Sequence, residues 1–74
     1  MQVTLTRRGA LAHGHDPSGE SVTLAEGARA ADLLAACGVD PRTCIVVVNG
    51  AAVVRQARLG EGDRVQIYPA QAGG

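Results

Sequence analysis

The run Cys44-Ile45-Val46-Val47-Val48, closed by Asn49-Gly50, constrains the fold more than any other stretch of this chain. Three valines after an isoleucine are stiff at χ1 and favour extended backbone. An unbroken apolar strand of this kind asks for cover on both faces. Asn-Gly is the dipeptide best suited to a two-residue type I′ hairpin turn, so the chain reverses there and Ala51 to Val54 is the return arm. Ile45 and Val47 share one side of the strand, Val46 and Val48 the other. One pair meets a covering element. The other pair lies on the open face of the sheet, where a small apolar patch suits protein docking.

The covering element is a helix from Ala28 to Cys37. Ala30, Leu33, Leu34 and Cys37 fall on one stripe at helical spacing. Gly27 is the expected N-cap, with Asp32 in the first half of the helix. Gly38 ends the helix at the C′ position, and Pro41 prevents its resumption. Residues 2–7 alternate with Val3 and Leu5 on one face, and Ser21 to Leu24 alternates again. Asp16-Pro17-Ser18-Gly19 has turn chemistry, so these runs read as an uneven hairpin with Gly9 as the position of a bulge. Leu59 is the apolar anchor of the connection from Arg55 to Gly62. Glu61-Gly62-Asp63 turns the chain into a last strand, Arg64 to Tyr68. Val65 and Ile67 then face the helix, while Gln66 and Tyr68 point to the open face. The expectation is a two-layer α+β domain: a mixed sheet of four to five strands with one helix packed across one face.

Length and charge bound the function. At 74 residues there is room for one small domain and barely enough apolar mass for one helix on one sheet. Phe and Trp are absent and there is one Tyr, so the core is aliphatic. Seven basic residues, all Arg, balance seven acidic ones, with no basic run and no aromatic stacking platform, which disfavours nucleic-acid binding. With no Lys, the chain offers no ammonium for lysine-linked chains of itself. The N-terminus reads as a strand and not a signal peptide. No apolar run approaches the ~20 residues of a membrane span, so no membrane association is expected and the default location is the cytoplasm.

Candidate chemistry inside the domain is sparse. Cys37 and Cys44 are spaced unlike a metal knuckle and read as two reduced, largely buried thiols, one on the helix and one on a strand; a disulfide between them is the alternative. His13 and His15 flank Gly14 without further ligands nearby, so no metal is expected. No nucleophile motif, phosphate loop or HExxH sequence is present, and the acidic residues are scattered singly. Tyr68 either covers the strand edge or anchors a docked partner. The end of the chain is more telling. Pro69-Ala70-Gln71-Ala72-Gly73-Gly74 follows a strand directly, and two glycines put a carboxylate on the thinnest backbone available. That suits an end that threads into another protein's active site.

Three segments carry a resemblance: the VVVNG hairpin, the LGEGDRVQI run from Leu59 to Ile67, and the IYPAQAGG end. On these the chain resembles, over nearly its whole length, the ubiquitin-like sulfur-carrier family of thiamine and molybdenum-cofactor biosynthesis (ThiS/MoaD type). The resemblance implies a ubiquitin-like β-grasp domain over residues 1–69 and a flexible tail over 70–74. It implies a carrier or co-substrate and not an enzyme, or else the small subunit of a sulfur-transferring synthase. Gly74 would be the adenylation and thiocarboxylate site. Gly73 and Ala72 would thread the partner's tunnel, and Tyr68, Pro69 and Gln66 would contribute to docking. Implied partners are an adenylating enzyme akin to ubiquitin-activating enzymes, a sulfur donor such as a cysteine desulfurase or rhodanese, and an acceptor synthase. ATP and Mg would act in the partner, with no cofactor bound by this chain. Tyr68-Pro69 is similar to the molybdopterin branch, from which Ala70 departs; VVVNGAAVVR fits the thiazole branch equally well. A ubiquitin-like modifier that forms an amide with target lysines would use the same Gly-Gly end. A two-iron ferredoxin shares the fold but needs four cysteine ligands, and this chain has two.

Overall fold

A computed structural model describes residues 1–70. Five strands form a single sheet in the order β2-β1-β5-β3-β4. They are β1 (Gln2–Arg7), β2 (Glu20–Thr23), β3 (Cys44–Val48), β4 (Ala51–Val53) and β5 (Arg64–Pro69). β5 lies in the middle, parallel to β1 and antiparallel to β3. The outer pairings, β1 with β2 and β3 with β4, are antiparallel, so the sheet is mixed as expected. The helix α1 (Ala30–Ala36) packs on one face.

The period-2 alternation of the strands sets this arrangement. Val3 and Leu5 of β1, Val46 of β3, and Val65 and Ile67 of β5 are all buried, as are Leu33 and Leu34 of α1. Leu24, Ala28, Ala30, Leu59 and the one thiol, Cys44, complete a core without aromatic side chains. The Asn49-Gly50 hairpin forms with positive φ at both positions, 51° and 89°, and Val48 pairs with Ala51 across it. These are the two left-handed residues a type I′ turn needs. Val46 and Val48 are the pair that turns toward the helix. Ile45 lies on the open face and remains 49% exposed, so β3 is covered on one side and not on both.

Two local expectations are corrected. Gly9 does not form a bulge; it opens a single 3-10 turn, Gly9–Ala12, that carries the chain out of β1. The helix starts at Ala30, the first residue of its apolar stripe and two residues later than expected, and its N-cap is Arg29 rather than Gly27. The reason is tertiary pairing. Ala28 C=O accepts from Leu59 N–H (2.9 Å), Ala30 N–H donates to Ala57 C=O (2.9 Å), and Arg29 bridges Arg58, which holds Ala28 and Arg29 extended. The Asp32 carboxylate then accepts the Arg29 N–H at 2.8 Å, closing the first turn. At the other end Gly38 N–H reaches Ala35 C=O (3.2 Å) and Val39 N–H reaches Leu34 C=O (2.8 Å), the paired bonds of a Schellman stop at the expected residue.

Candidate functional site

The open face of the sheet and the end of β5 are where the candidate residues converge. Alternation along β5 puts Gln66 and Tyr68 on the face away from α1, as expected, with Tyr68 38% exposed. The Tyr68 hydroxyl donates to Gln66 Oε1 at 3.0 Å, which steers the ring along the strand. Register sets their neighbours: Ile45 lies opposite Tyr68, and Val47 opposite Gln66. Val54 follows β4 and is 68% exposed. Ile45, Val54 and Tyr68 are therefore the large apolar side chains presented to solvent among the described residues. A groove of about 430 Å³ takes in Ile45 and Val54 but not Tyr68, and is lined also by Pro41, Val53 and Arg55 among others.

Sequence reasoning picked Tyr68 and Gln66 for this surface but did not name Ile45 or Val54 as site residues. The signal for Ile45 lay in the unbroken apolar run, one side of which had to be open. Val54 gave none, because β4 ends one residue earlier than the pattern suggested.

The two internal segments that carry the family resemblance meet at the base of this face. Asn49 Nδ2 donates to Asp63 Oδ1 (3.0 Å), while Arg64 N–H donates to Asn49 Oδ1 (2.9 Å). The other carboxylate oxygen of Asp63 accepts Gly60 N–H at 2.7 Å. One asparagine and one aspartate thus lock the β3–β4 hairpin onto the start of β5, which sets where the far end of β5 emerges.

At that far end Pro69 is half-buried and lies opposite Cys44 in the β3–β5 ladder. Ala70 N–H donates to Thr43 C=O at 2.9 Å. Ala72, Gly73 and Gly74 lie outside the described residues, as does most of the expected tail. Cys37 and Cys44 are free thiols, the first half-buried and the second buried. Burial pushes both up from the ordinary thiol range, with the nearby Glu20 carboxylate adding to the effect at Cys37 and Asp40 at Cys44. Both thiols are therefore protonated and poorly nucleophilic at neutral pH. His13 and His15 are exposed on a loop, and no group of three or more His, Cys, Asp or Glu side chains is placed to hold a metal among the described residues. No helix among them is long and apolar enough to cross a membrane.

Residues 11–74 match the family model described as the ThiS family. Among solved structures, the chain is similar to a Pyrococcus furiosus protein assigned as molybdopterin converting factor, subunit 1: 25% identity, TM-score 0.76, with 92% of this chain and 95% of that one covered. It is also similar to SAMP1 from Haloferax volcanii, with 21% identity, TM-score 0.79 and both chains fully covered. A ubiquitin-like protein from the archaeon Caldiarchaeum subterraneum superposes at TM-score 0.59 with 15% identity, covering 99% of this chain and 100% of that one. No match was found among curated proteins. These likenesses give the architecture its name: the five-stranded mixed sheet with one helix is the ubiquitin-like β-grasp fold.

Proposed function

This chain belongs to the ThiS family, and from that premise we propose that it is a sulfur carrier whose Gly74 carboxylate is the reacting group. The observation that carries this reading is the extent of the family match, which runs through residues 11–74 and so includes Gly73-Gly74. A free α-carboxylate, with a pKa of about 3.3–3.7, is ionised and inert to sulfur nucleophiles at neutral pH. It needs activation. In an adenylating partner the carboxylate oxygen attacks the α-phosphorus of ATP, and pyrophosphate leaves. A hydrosulfide equivalent then attacks the carbonyl carbon of the acyl adenylate, AMP leaves, and the proton passes to solvent. The product is a thiocarboxylate, whose terminal sulfur is a nucleophile that an acceptor synthase takes up.

The domain's own part is docking and presentation. Ile45, Val54 and Tyr68 form an apolar face that a partner covers, and exposed aromatic and branched residues of this kind supply anchor contacts. Ala72 and Gly73 offer no bulk to a tunnel that must admit a chain end. Gln66 and Pro69 border the anchors. Burial pushes the chain's own two thiols up from the ordinary thiol range, so neither is a ready nucleophile for the adenylate.

The test is ATP–pyrophosphate exchange by an adenylating enzyme with the chain as co-substrate. Exchange is expected with the intact chain and lost when Gly74 is deleted or one residue is added after it. Undiminished exchange by the deleted form refutes the assignment. Amide-linked adducts on other proteins, in place of a thiocarboxylate, would make the chain a modifier instead.

A further inference from the structure

The chain reaches the end of β5 between two short turns, one from each neighbouring strand. After β1 the Gly9–Ala12 turn folds back onto β5, and Arg8 N–H donates to Ile67 C=O at 2.9 Å. Before β3 the Pro41–Thr43 turn brings the Thr43 carbonyl to Ala70 N–H. That second turn is braced by Asp40, whose carboxylate accepts Arg42 N–H (2.9 Å) and whose carbonyl accepts both the Thr43 hydroxyl (2.7 Å) and the Thr43 N–H (3.0 Å). Pro69 is held between them.

Gly9 is the tight side. A Cβ there would sit 3.1 Å from Pro69 Cγ and 3.2 Å from Pro69 Cδ, closer than carbon atoms normally approach. Its φ of +56° is also one that side-chain-bearing residues avoid. Pro69 cannot move aside freely, because the ladder to Cys44 and the Ala70–Thr43 bond hold its other side.

We infer that Gly9 is a positioning residue: with the Thr43 carbonyl it clamps Pro69 and Ala70, and so fixes the point and direction from which the reacting end of the chain departs. This rests on the carrier reading above. The clamp extends the held part of the chain from Pro69 to Ala70. Four residues beyond Ala70 span roughly 14 Å when extended, against roughly 17 Å for five, so the distance from docking face to active site is set more narrowly than the sequence alone implied.

The experiment uses the whole chain. Gly9→Ala and Gly9→Val are compared with Gly14→Val, which brings similar left-handed strain (φ +77°) but has no atom within 4 Å of the added Cβ. Amide exchange at Ala70, relative to Leu5 and Val65, is expected to accelerate about 10-fold in the Gly9 variants and to change less than about 2-fold in Gly14→Val. Combining Gly9→Ala with Pro69→Ala should restore much of the protection, since the ring atoms that the Cβ meets are gone. In ATP–pyrophosphate exchange, Gly9→Ala should lower kcat ~10-fold while KM for the chain stays within ~2-fold, because the docking face is untouched and only the reacting end is misplaced. Equal exchange at Ala70 in the Gly9 and Gly14 variants overturns the clamp. An altered Ala70 with unchanged kcat overturns its positioning role. If no adenylating enzyme charges the wild-type chain, the carrier reading falls and the purpose of the clamp with it, while Ala70 exchange still reports the contact itself.

Discussion

Replacing Leu34 by Ala tests the packing on which the whole presentation depends. Leu34 is fully buried between α1 and the sheet, among Leu5, Leu33, Val65 and Ile67, all no more than 1% exposed. The change removes three buried carbons at about 0.8 kcal/mol each, or roughly 2.4 kcal/mol, before any cavity is counted. A core of aliphatic side chains on short strands collapses only partly onto a gap, so the total lies in the range of about 2–5 kcal/mol. A domain of this size has roughly 4–11 kcal/mol in all. At about 4–8 °C per kcal/mol, the melting point should fall by roughly 10 °C at the least. The same truncation at Ile45, which is 49% exposed, removes about half the burial and should lose ~1 kcal/mol. Thermal and urea unfolding of both variants, followed by circular dichroism, gives the comparison. A Leu34→Ala melting point within ~3 °C of wild type, or an Ile45→Ala loss as large as that of Leu34→Ala, would refute the assignment of core and open faces.

Two further outcomes follow from the surface. Ile45→Asp and Val54→Asp, like Tyr68→Ala, should raise KM for the adenylating partner ~10-fold or more with the fold intact, as read from exchange kinetics and circular dichroism; a normal KM in all three would remove the docking face from the account. Acid should loosen the Asp40–Thr43 turn only below the ordinary carboxylate range. The Arg42 side chain, and then its backbone N–H, hold the Asp40 carboxyl below its usual value. A depressed folded pKa means that the stabilisation is complete above the unfolded value, about 3.9, and disappears as pH falls through the lower folded one. Carbon-detected titration of the Asp40 carboxyl should show that midpoint, and one at or above the ordinary value would contradict the Arg42 contact.

Much of the fold was legible because its strands are short and strongly patterned. The Cys44–Val48 run and Asn49-Gly50 give both a strand and its turn, and the alternation of Arg64 to Tyr68 assigns each residue to its face. Gly38 marks the helix stop for a local reason, the Schellman bonds, which sequence encodes directly. The misses are nonlocal. Ala28 and Arg29 fall inside the expected helix but are held out of it by residues 57–59, more than 25 positions away. Gly9 looked like a bulge because it falls between two strand runs of uneven length, while its partner, Pro69, 60 positions away, gave no local signal. The exposed apolar face was half legible: alternation placed Tyr68, but only the sheet order brought Ile45 and Val54 beside it.

The most direct test of the central claim is where sulfur ends up. The intact chain, incubated with an adenylating enzyme, Mg-ATP and either sulfide or a persulfide whose acyl disulfide product is then cleaved by a thiol, should gain the mass difference of one sulfur for one oxygen. Peptide fragmentation should place that gain on Gly74, and mild hydrolysis should reverse it, which separates it from oxidation. Sulfur acquired equally by a chain lacking Gly74, or mapped instead to Cys37 or Cys44, would contradict the account, and the second outcome would make the protein a persulfide carrier.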